Sequence, residues 1–375
     1  MRAVAALLML FLLPAATLGP EHCRTVEVLD EAGRSLAGIE DLAIHPPSGR
    51  LILSAHDRWA GAAGEGPRSG LYAVGLDEVL IGGRPAGRLL TPGGPHGADD
   101  VIPHGLAIRP EPTGGYRLAV INHRAWQRHY DRFGRPGTMI EEYLVRPDGT
   151  LEFRRSVGGA DLCAANDLDW VDADVVAVTL DREHCGGWLR WLELSTGQNR
   201  GRVVLIHLGS GARTAHIVDG LSAAEADLGF PNGIAALPGG GDERGVIVSM
   251  SREAVLTRFF VRRQFDAEVA LARDSASLPT EGGGDNLSWD SGGRLLLAVH
   301  PSVWRFGLYS LRVPGFATAP SRLLRIDLAG ESVATIYDDP EGDLFSGATS
   351  VIEAGGHFIA GAAFDSGLLV CPADG

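Results

Sequence analysis

The segment GIEDLAIHP, residues 38–46, is the first of six related stretches that decide the fold. Its counterparts begin, at steps of 54 to 66 residues, at His104 (HGLAIRP), Asn166 (NDLDWVD), Asn232 (NGIAALP), Asn286 (NLSWDSG) and Gly347 (GATSVIE). Each starts with polar or small residues, continues as a short apolar strand and is followed by a second apolar run, such as RLILSAH at 50–56. A repeat of about 60 residues built from short strands predicts an all-β protein, a six-bladed β-propeller with four-stranded blades.

The composition predicts one folded domain. The chain has 375 residues, 45% of them hydrophobic, and its 51 Gly and 21 Pro are typical of many turns. We therefore expect residues 20–375 to form a single propeller domain. The net charge is −14 and all 33 basic residues are Arg. Such an acidic chain argues against nucleic acid as a partner.

The N-terminal residues 1–19 are predicted to be a secretory signal peptide or a retained hydrophobic segment. One Arg precedes an apolar run from Ala3 to Leu13, and small residues follow. The run is too short to span a bilayer comfortably. We expect a secreted or periplasmic protein, and an uncleaved segment would add weak membrane or lipid association.

Four cysteines agree with an oxidising compartment, and three pairings are conceivable. The propeller favours one of them. The last blade has only three strands from the C-terminal sequence, so RTVEVLD, Arg24 to Asp30, is predicted to supply its missing outer strand. A Cys23–Cys371 disulfide would lock that closure, which leaves Cys163 to pair with Cys185. A zinc site is disfavoured because the chain has no CxxC.

The polar clusters that open the repeats offer oxygen donors from four blades. They are Glu40-Asp41, Asn166-Asp167, Asn232 and Asp285-Asn286. Hard oxygen ligands in this number suit Ca²⁺ and suit Zn²⁺ or Cu²⁺ poorly. Because neighbouring side chains of a strand point to opposite sides, the adjacent pairs predict two calcium sites at different depths along the ring axis.

Two histidines are candidates for acid–base chemistry. His104 opens the second repeat and His123 ends the strand that follows, so antiparallel pairing would bring both to one end of the blade. Such a pair can act as a general base. His56 and His300 occupy the equivalent second-strand position in other blades and are expected near the mouth of the ring. The chain has no G-x-S-x-G and no H-E-x-x-H motif, so a serine nucleophile is unsupported.

At these residues the chain resembles the paraoxonase/arylesterase family of calcium-dependent six-bladed propeller lactonases. The resemblance covers nearly the whole mature chain and rests on GIEDLAI, IPHGLAI, VINH, NDLDWV, FPNGIAAL, GDNLSWD, LAVHP and SGATSV, in that order, with the terminal Cys pair. The segments DRWAGAAGEG after His56 and HRAWQRHYDRFGRPG from His123 differ from the family. Both are expected to overhang the pocket and to affect substrate choice.

The resemblance implies a role for each motif residue. A catalytic calcium would be held by Glu40, Asn166, Asn232, Asp285 and Asn286. A deeper structural calcium would take Asp41, Asp167 and the backbone carbonyl of Leu106. His104 and His123 would form a catalytic dyad, and Phe230 and His300 would line the substrate pocket.

The expected activity is calcium-dependent hydrolysis of lactones or aryl esters, with a small-molecule ester or lactone as substrate. The calcium would polarise the carbonyl and the dyad would activate water. Two alternatives stay open from the sequence. One is a gluconolactonase-like sugar lactonase, and the other is a non-catalytic secreted propeller that binds calcium only for rigidity.

Overall fold

The structure is a computed structural model that describes residues 17–63, 68–92, 101–112, 114–125, 130, 134, 136–159, 162–209, 228–239, 244–263 and 269–373. The predicted N-terminal segment therefore lies almost wholly outside the described residues. In the described ranges no helix is both long and apolar enough to cross a membrane.

The chain forms six antiparallel sheets arranged as the blades of a β-propeller. The first blade contains β2 (Ile39–His45), β3 (Arg50–His56), β4 (Ser69–Gly75) and β5 (Arg88–Leu89). The second contains β6 (Pro103–Pro110), β7 (Tyr116–Asn122), β8 (Met139–Val145) and β9 (Leu151–Gly158). The third contains β10 (Ala165–Trp170), β11 (Val175–Leu180) and β12 (Arg202–His207).

The second half of the ring repeats this plan. The fourth blade contains β13 (Pro231–Ala236), β14 (Gly245–Met250), β15 (Val255–Arg263) and β16 (Val269–Pro279). The fifth contains β17 (Gly283–Trp289), β18 (Leu295–His300), β19 (Ser321–Asp327) and β20 (Ser332–Asp339). The sixth contains β21 (Ala348–Ala354), β22 (His357–Ala362), β23 (Leu368–Pro372) and, from the N-terminus, β1 (Arg24–Val26).

The six-bladed prediction is confirmed, because the innermost strands β2, β6, β10, β13, β17 and β21 contact one another in a closed circle. The predicted closure is confirmed as well. Strand β1 pairs with β23 from Arg24 opposite Val370 to Val26 opposite Leu368. It is shorter than predicted, because the backbone of Val28 and Leu29 bonds to Leu36 and Pro85 and no longer to the last blade. Closure removes the open sheet edges that an incomplete ring would expose.

Both predicted disulfides are present. Cys23 and Cys371 are joined with their Cα atoms 4.4 Å apart, which fixes β1 to the last blade. Cys163 and Cys185 are joined with their Cα atoms 5.8 Å apart, in the third blade. Two disulfides are typical of proteins from oxidising compartments.

Helices occupy several connections between strands. They are α1 (Arg58–Ala62), α2 (Leu76–Ile81), α3 (Gly187–Thr196) and α4 (Val303–Ser310), with short 3-10 turns at Pro20–His22 and Pro46–Ser48. Three of them, α1, α3 and α4, join the second strand of a blade to its third. The second strands run toward the end of the ring where the innermost strands begin. These three helices therefore lie at this end of the ring, which forms the mouth of the propeller.

The core lies between neighbouring sheets. Val26, Ile39, Leu53 and Ile359, for example, pack together where the first blade meets the sixth. Burial of such aliphatic side chains is worth about 1.5–3 kcal/mol each. The apolar stripes of the repeats thus hold the blades together and leave the polar clusters at the inner ends of the strands.

Candidate active site

Every innermost strand carries a β-bulge at its polar or small cluster. In the first, third and fifth blades the pairing register shifts between Ile39 and Asp41, between Ala165 and Leu168, and between Gly284 and Leu287. The other three blades shift at the equivalent place. A bulge re-aims side chains, so the simple strand alternation behind the two-depth prediction does not hold at these residues. Glu40 and Asp41 are both buried, at 6% and 7% exposure.

Glycines let the bulges approach one another across blade boundaries. A Cβ atom on Gly105 would lie 2.5 Å from Asp167 Oδ1, and one on Gly233 would lie 2.1 Å from the Asp285 carbonyl oxygen. Only glycine fits these positions without a backbone shift. The sequence contains the signal, since both glycines directly follow a cluster residue, His104 or Asn232.

All five residues predicted to hold the catalytic calcium are buried and aligned around the mouth. Four of them have a buried side-chain oxygen without a hydrogen-bond donor among the described residues: Asn166 Oδ1, Asn232 Oδ1, Asp285 Oδ1 and Asn286 Oδ1. The fifth, Glu40, contacts the Arg58 guanidinium through Oε2 and His104 through Oε1. Buried acceptors are normally satisfied, and each unsatisfied one costs about 1–3 kcal/mol. Four of them on three blades, together with the Glu40 carboxylate of the first blade, fit a hard cation that accepts oxygen ligands.

The amides are essential to this fit. In the described part of the chain, no three His, Cys, Asp or Glu side chains by themselves form a group that could hold a metal. The candidate sphere contains two carboxylates, Glu40 and Asp285, and completes its oxygen count with three asparagines. Such a mixed set suits Ca²⁺, which accepts carboxylate and carbonyl oxygens alike.

The three residues predicted to hold a deeper calcium line a cavity of about 250 Å³ on the ring axis. They are Asp41, Leu106 and Asp167. Both carboxylates already accept backbone amides, Asp41 from Leu42 and Leu106, and Asp167 from Leu168 and Ile234. Burial raises the pKa of Asp41 to about 7, and burial together with the charge of Asp41 raises that of Asp167. A cation in this cavity would offset their mutual repulsion.

The two predicted catalytic histidines are in contact. His104 Nδ1 lies 3.0 Å from His123 Nε2, and both side chains are buried. His123 Nδ1 lies 2.8 Å from Thr138 Oγ1, while His104 Nε2 lies 2.8 Å from Glu40 Oε1. Thr138, His123, His104 and Glu40 therefore form one continuous row of polar contacts that ends at a candidate calcium ligand.

Burial lowers the pKa of both dyad histidines well below the ordinary value, and nearby arginines lower it further. Both rings are consequently neutral near pH 7. A neutral imidazole has one donor and one acceptor nitrogen, so the dyad can carry a directed chain of hydrogen bonds. The tautomer is set by the groups at the two ends, Thr138 and Glu40.

The remaining predicted residues also lie at the mouth. His300 Nε2 is 2.9 Å from Asp285 Oδ2, and its ring stacks on Phe306 with the centroids 3.8 Å apart. His56 is buried, which lowers its pKa to about 4. Phe230 is half-buried and has a φ of 60°, a strained value for a bulky residue that precedes the inner strand β13.

Several residues of the mouth were not predicted. Asp181 is buried directly after β11. His56, His123 and His300 hold the equivalent position in their blades, so the end of the second apolar run could have predicted Asp181. Trp59, Phe306, Tyr309 and Phe364 form an aromatic cluster above the ring. Their contacts join α1, α4 and the sixth blade, and no sequence spacing reveals such a meeting.

Arg58 was not predicted either. It begins α1 in the segment expected to overhang the pocket, and its guanidinium contacts the Glu40 carboxylate. The second segment expected there, from His123, lies in part outside the described residues.

No family profile matches the chain, and no curated protein matches it. Among solved structures, it is similar to a structural-genomics target assigned provisionally as a gluconolactonase, with 15% identity, a TM-score of 0.46 and coverage of 96% of this chain and 97% of that one. A gluconolactonase from Xanthomonas campestris shows 17% identity, a TM-score of 0.41 and coverage of 91% and 97%. An aldose sugar dehydrogenase from Streptomyces coelicolor shows 13% identity, a TM-score of 0.45 and coverage of 90% of this chain and 96% of that one. Identities and TM-scores this low do not allow a conclusion about activity. The activity is therefore inferred from the side chains at the mouth of the ring.

Proposed function

We propose that this protein is a calcium-dependent hydrolase of lactones or aryl esters. The observation that carries the proposal is the set of four buried oxygens without donors among the described residues, from Asn166, Asn232, Asp285 and Asn286, beside the Glu40 carboxylate and the His104–His123 pair. A hard cation and a neutral base at one mouth are the two components that hydrolysis of an activated carbonyl needs.

The five residues would hold the catalytic ion, and Asp41, Asp167 and the carbonyl of Leu106 would hold a second one that stiffens the ring. A calcium ion bound at the mouth would act as a Lewis acid and stabilise negative charge on the carbonyl oxygen. The chain's own side chains would supply the proton transfer and the shape of the pocket.

Proton transfer needs one particular tautomer of the dyad. In this tautomer His123 Nδ1–H would donate to Thr138 Oγ1, and His104 Nδ1–H would donate to His123 Nε2. This would leave His104 Nε2 as the proton acceptor for water. The Glu40 carboxylate, 2.8 Å from Nε2, can only accept and so favours a proton on this nitrogen, and water would have to replace that contact before His104 acts as the base. Positive charge gained by His104 would be stabilised by the Glu40 carboxylate. General bases of this kind contribute about 10²–10⁴-fold in rate.

His300 and Phe230 would shape the pocket. The contact from His300 to Asp285 and its stacking on Phe306 hold this carboxylate in place. Both disulfides and the N-terminal hydrophobic segment support a location outside the cytoplasm, secreted or periplasmic.

The test is hydrolysis of phenyl acetate and of a panel of aliphatic and sugar lactones, with calcium and after its removal by EGTA. The proposal expects turnover that calcium restores. Turnover confined to sugar lactones would indicate a gluconolactonase-like enzyme. Tight calcium binding without turnover of any ester or lactone would indicate a non-catalytic propeller.

A further inference from the structure

A buried guanidinium faces the candidate calcium ligands. The Asp57 carboxylate caps α1 by accepting the amide of Ala60 at 2.9 Å, which fixes the helix start. From there the Arg58 side chain contacts Glu40 and donates to the carbonyl oxygen of Ala363 at 2.7 Å. It packs with its guanidinium carbon 5.7 Å from the centre of the Phe364 ring, and its side chain is only 10% exposed. Arg58 is therefore held rigidly in the mouth.

A second guanidinium enters from the third blade. Arg182 donates to Asp181 at 2.6 Å, and its side chain is 13% exposed. Its Nε is buried and meets no acceptor among the described residues. Its positive charge contributes to the low pKa of both His104 and His123, as that of Arg58 does. The two arginines thus belong to the first and third blades, and the dyad belongs to the second blade between them.

These arginines change the charge of the mouth. Among the described residues, the ionic groups at the dyad are the buried carboxylates of Glu40, Asp181 and Asp285 and the largely buried guanidinium groups of Arg58 and Arg182. The charges of the neighbouring Arg124 and Glu141 cancel, because these two side chains form an ion pair. A divalent cation would leave these groups with one net positive charge, although the chain as a whole is strongly acidic. A pocket with this balance favours an anionic ligand over a neutral one.

We propose that the substrate is an ester or lactone that bears a carboxylate, and that Arg58 and Arg182 bind this carboxylate beside the reacting carbonyl. The choice of ester or lactone rests on the proposed hydrolase function. The planar fork of arginine matches the geometry of a carboxylate, and charge-assisted hydrogen bonds are about twice as strong as neutral ones. The aromatic rings of Phe306 and Phe364 supply the apolar wall for the rest of such a substrate.

The experiment compares two γ-lactones that differ at one ring position. One carries a carboxylate there, and the other carries a primary amide. The calcium-loaded wild-type protein should favour the carboxylate at least about 10-fold in kcat/KM. Arg58→Gln and Arg182→Gln should each reduce that preference about 10- to 100-fold, the effect expected for a charged hydrogen bond. Arg58→Lys should keep part of it. Arg84→Gln is the control, because Arg84 is 61% exposed and pairs with Glu27.

A binding measurement separates this inference from the hydrolase function. Tetrahydrofuran-2-carboxylate cannot be hydrolysed, and calorimetric titration should show that it binds wild type more tightly than either glutamine variant. Binding of this anion without turnover of any lactone would sink the hydrolase function and leave only the carboxylate site at Arg58 and Arg182 standing. Equal turnover of carboxylate and amide by wild type, or a preference that both glutamine variants retain, would show that the arginines only neutralise Glu40 and Asp181. Melting temperatures identify any variant that fails to fold. The preference for the carboxylate is then judged from the arginine variants that do fold.

Discussion

Asp41 Oδ2 accepts the backbone amide of Leu106 at 2.8 Å, across the boundary between the first and second blades. Asp167 makes the same contact to Ile234, at 2.9 Å, between the third and fourth blades. Each carboxylate thus joins neighbouring blades at the level of the axial cavity. The residues predicted to bind the deeper calcium are also parts of the ring's own hydrogen bonding.

Calcium removal should destabilise the ring. Without a cation, burial and the proximity of Asp41 to Asp167 make their charges unfavourable. We expect EGTA to lower the melting temperature by several degrees, measured by calorimetry at pH 8, above the pKa of about 7 of Asp41. Asp41→Asn should shrink this shift because one of the charges is gone. An unchanged melting curve with EGTA would contradict a structural calcium.

Asp285→Asn should weaken the candidate catalytic site and leave the fold intact. The substitution keeps the size of the side chain and removes one of the site's two anionic ligands. We expect calcium affinity, followed by terbium luminescence, to fall about 10- to 100-fold, with a parallel fall in hydrolysis. Asp327→Asn, a change in a surface turn of the same blade, is the matched control. Equal affinities in the two variants would remove Asp285 from the metal site.

His104→Gln should separate proton transfer from metal binding. The substitution keeps a polar side chain but removes the titratable base, so kcat should fall about 10²–10⁴-fold while calcium affinity stays nearly constant. In wild type the rate should decline on acidification only below the usual histidine range, because both dyad pKa values are lowered. A variant with full kcat on lactones and aryl esters would rule out His104 as the base.

The buried His56 should make the fold sensitive to acid. Its pKa is about 4 in the folded state, against an ordinary value of 6.5 in the unfolded chain. Between these values the unfolded chain binds the extra proton, so stability falls as the pH drops from 6.5 toward 4. This one group should remove about 2 kcal/mol between pH 7 and 5.

The measurement is urea unfolding of wild type and His56→Gln at both pH values. The difference between the two proteins isolates His56 from Asp41, whose raised pKa acts with the opposite sign. A wild-type protein that loses no more stability than the variant would show that His56 does not titrate in this way.

Gly233→Ala should be costly although the change is a single methyl group. The new Cβ would lie 2.1 Å from the Asp285 carbonyl oxygen, so two inner strands must move apart. We expect a loss of about 1–3 kcal/mol and weaker calcium binding. Gly307→Ala in α4 is the control: its Cβ meets nothing within 4 Å, and alanine favours the helix by about 0.5–1 kcal/mol. Equal stability of both variants would mean that the blades do not depend on this close approach.

The sequence alone determined the number of blades, their closure by the N-terminal strand and both disulfides. The reason is the repeat, because each copy pairs with its own neighbours in the chain and the ring must close on itself. It also placed the residues Glu40, His104, Asn232 and Asn286 at one mouth, since each of them opens a repeat. The same argument could have predicted Asp181 at the mouth, because Asp181 stands at the end of a second strand, as His56 and His300 do.

Only the tertiary structure decided what faces what inside the mouth. The bulges override strand alternation, so the depth of Glu40 relative to Asp41 depends on local pairing that the repeat does not encode. Arg58 and Arg182 reach the dyad from helical or irregular connections, which differ from blade to blade. Their burial beside Glu40 and Asp181 arises from contacts between side chains that the fold brings together, and such contacts leave no periodic signal in the chain.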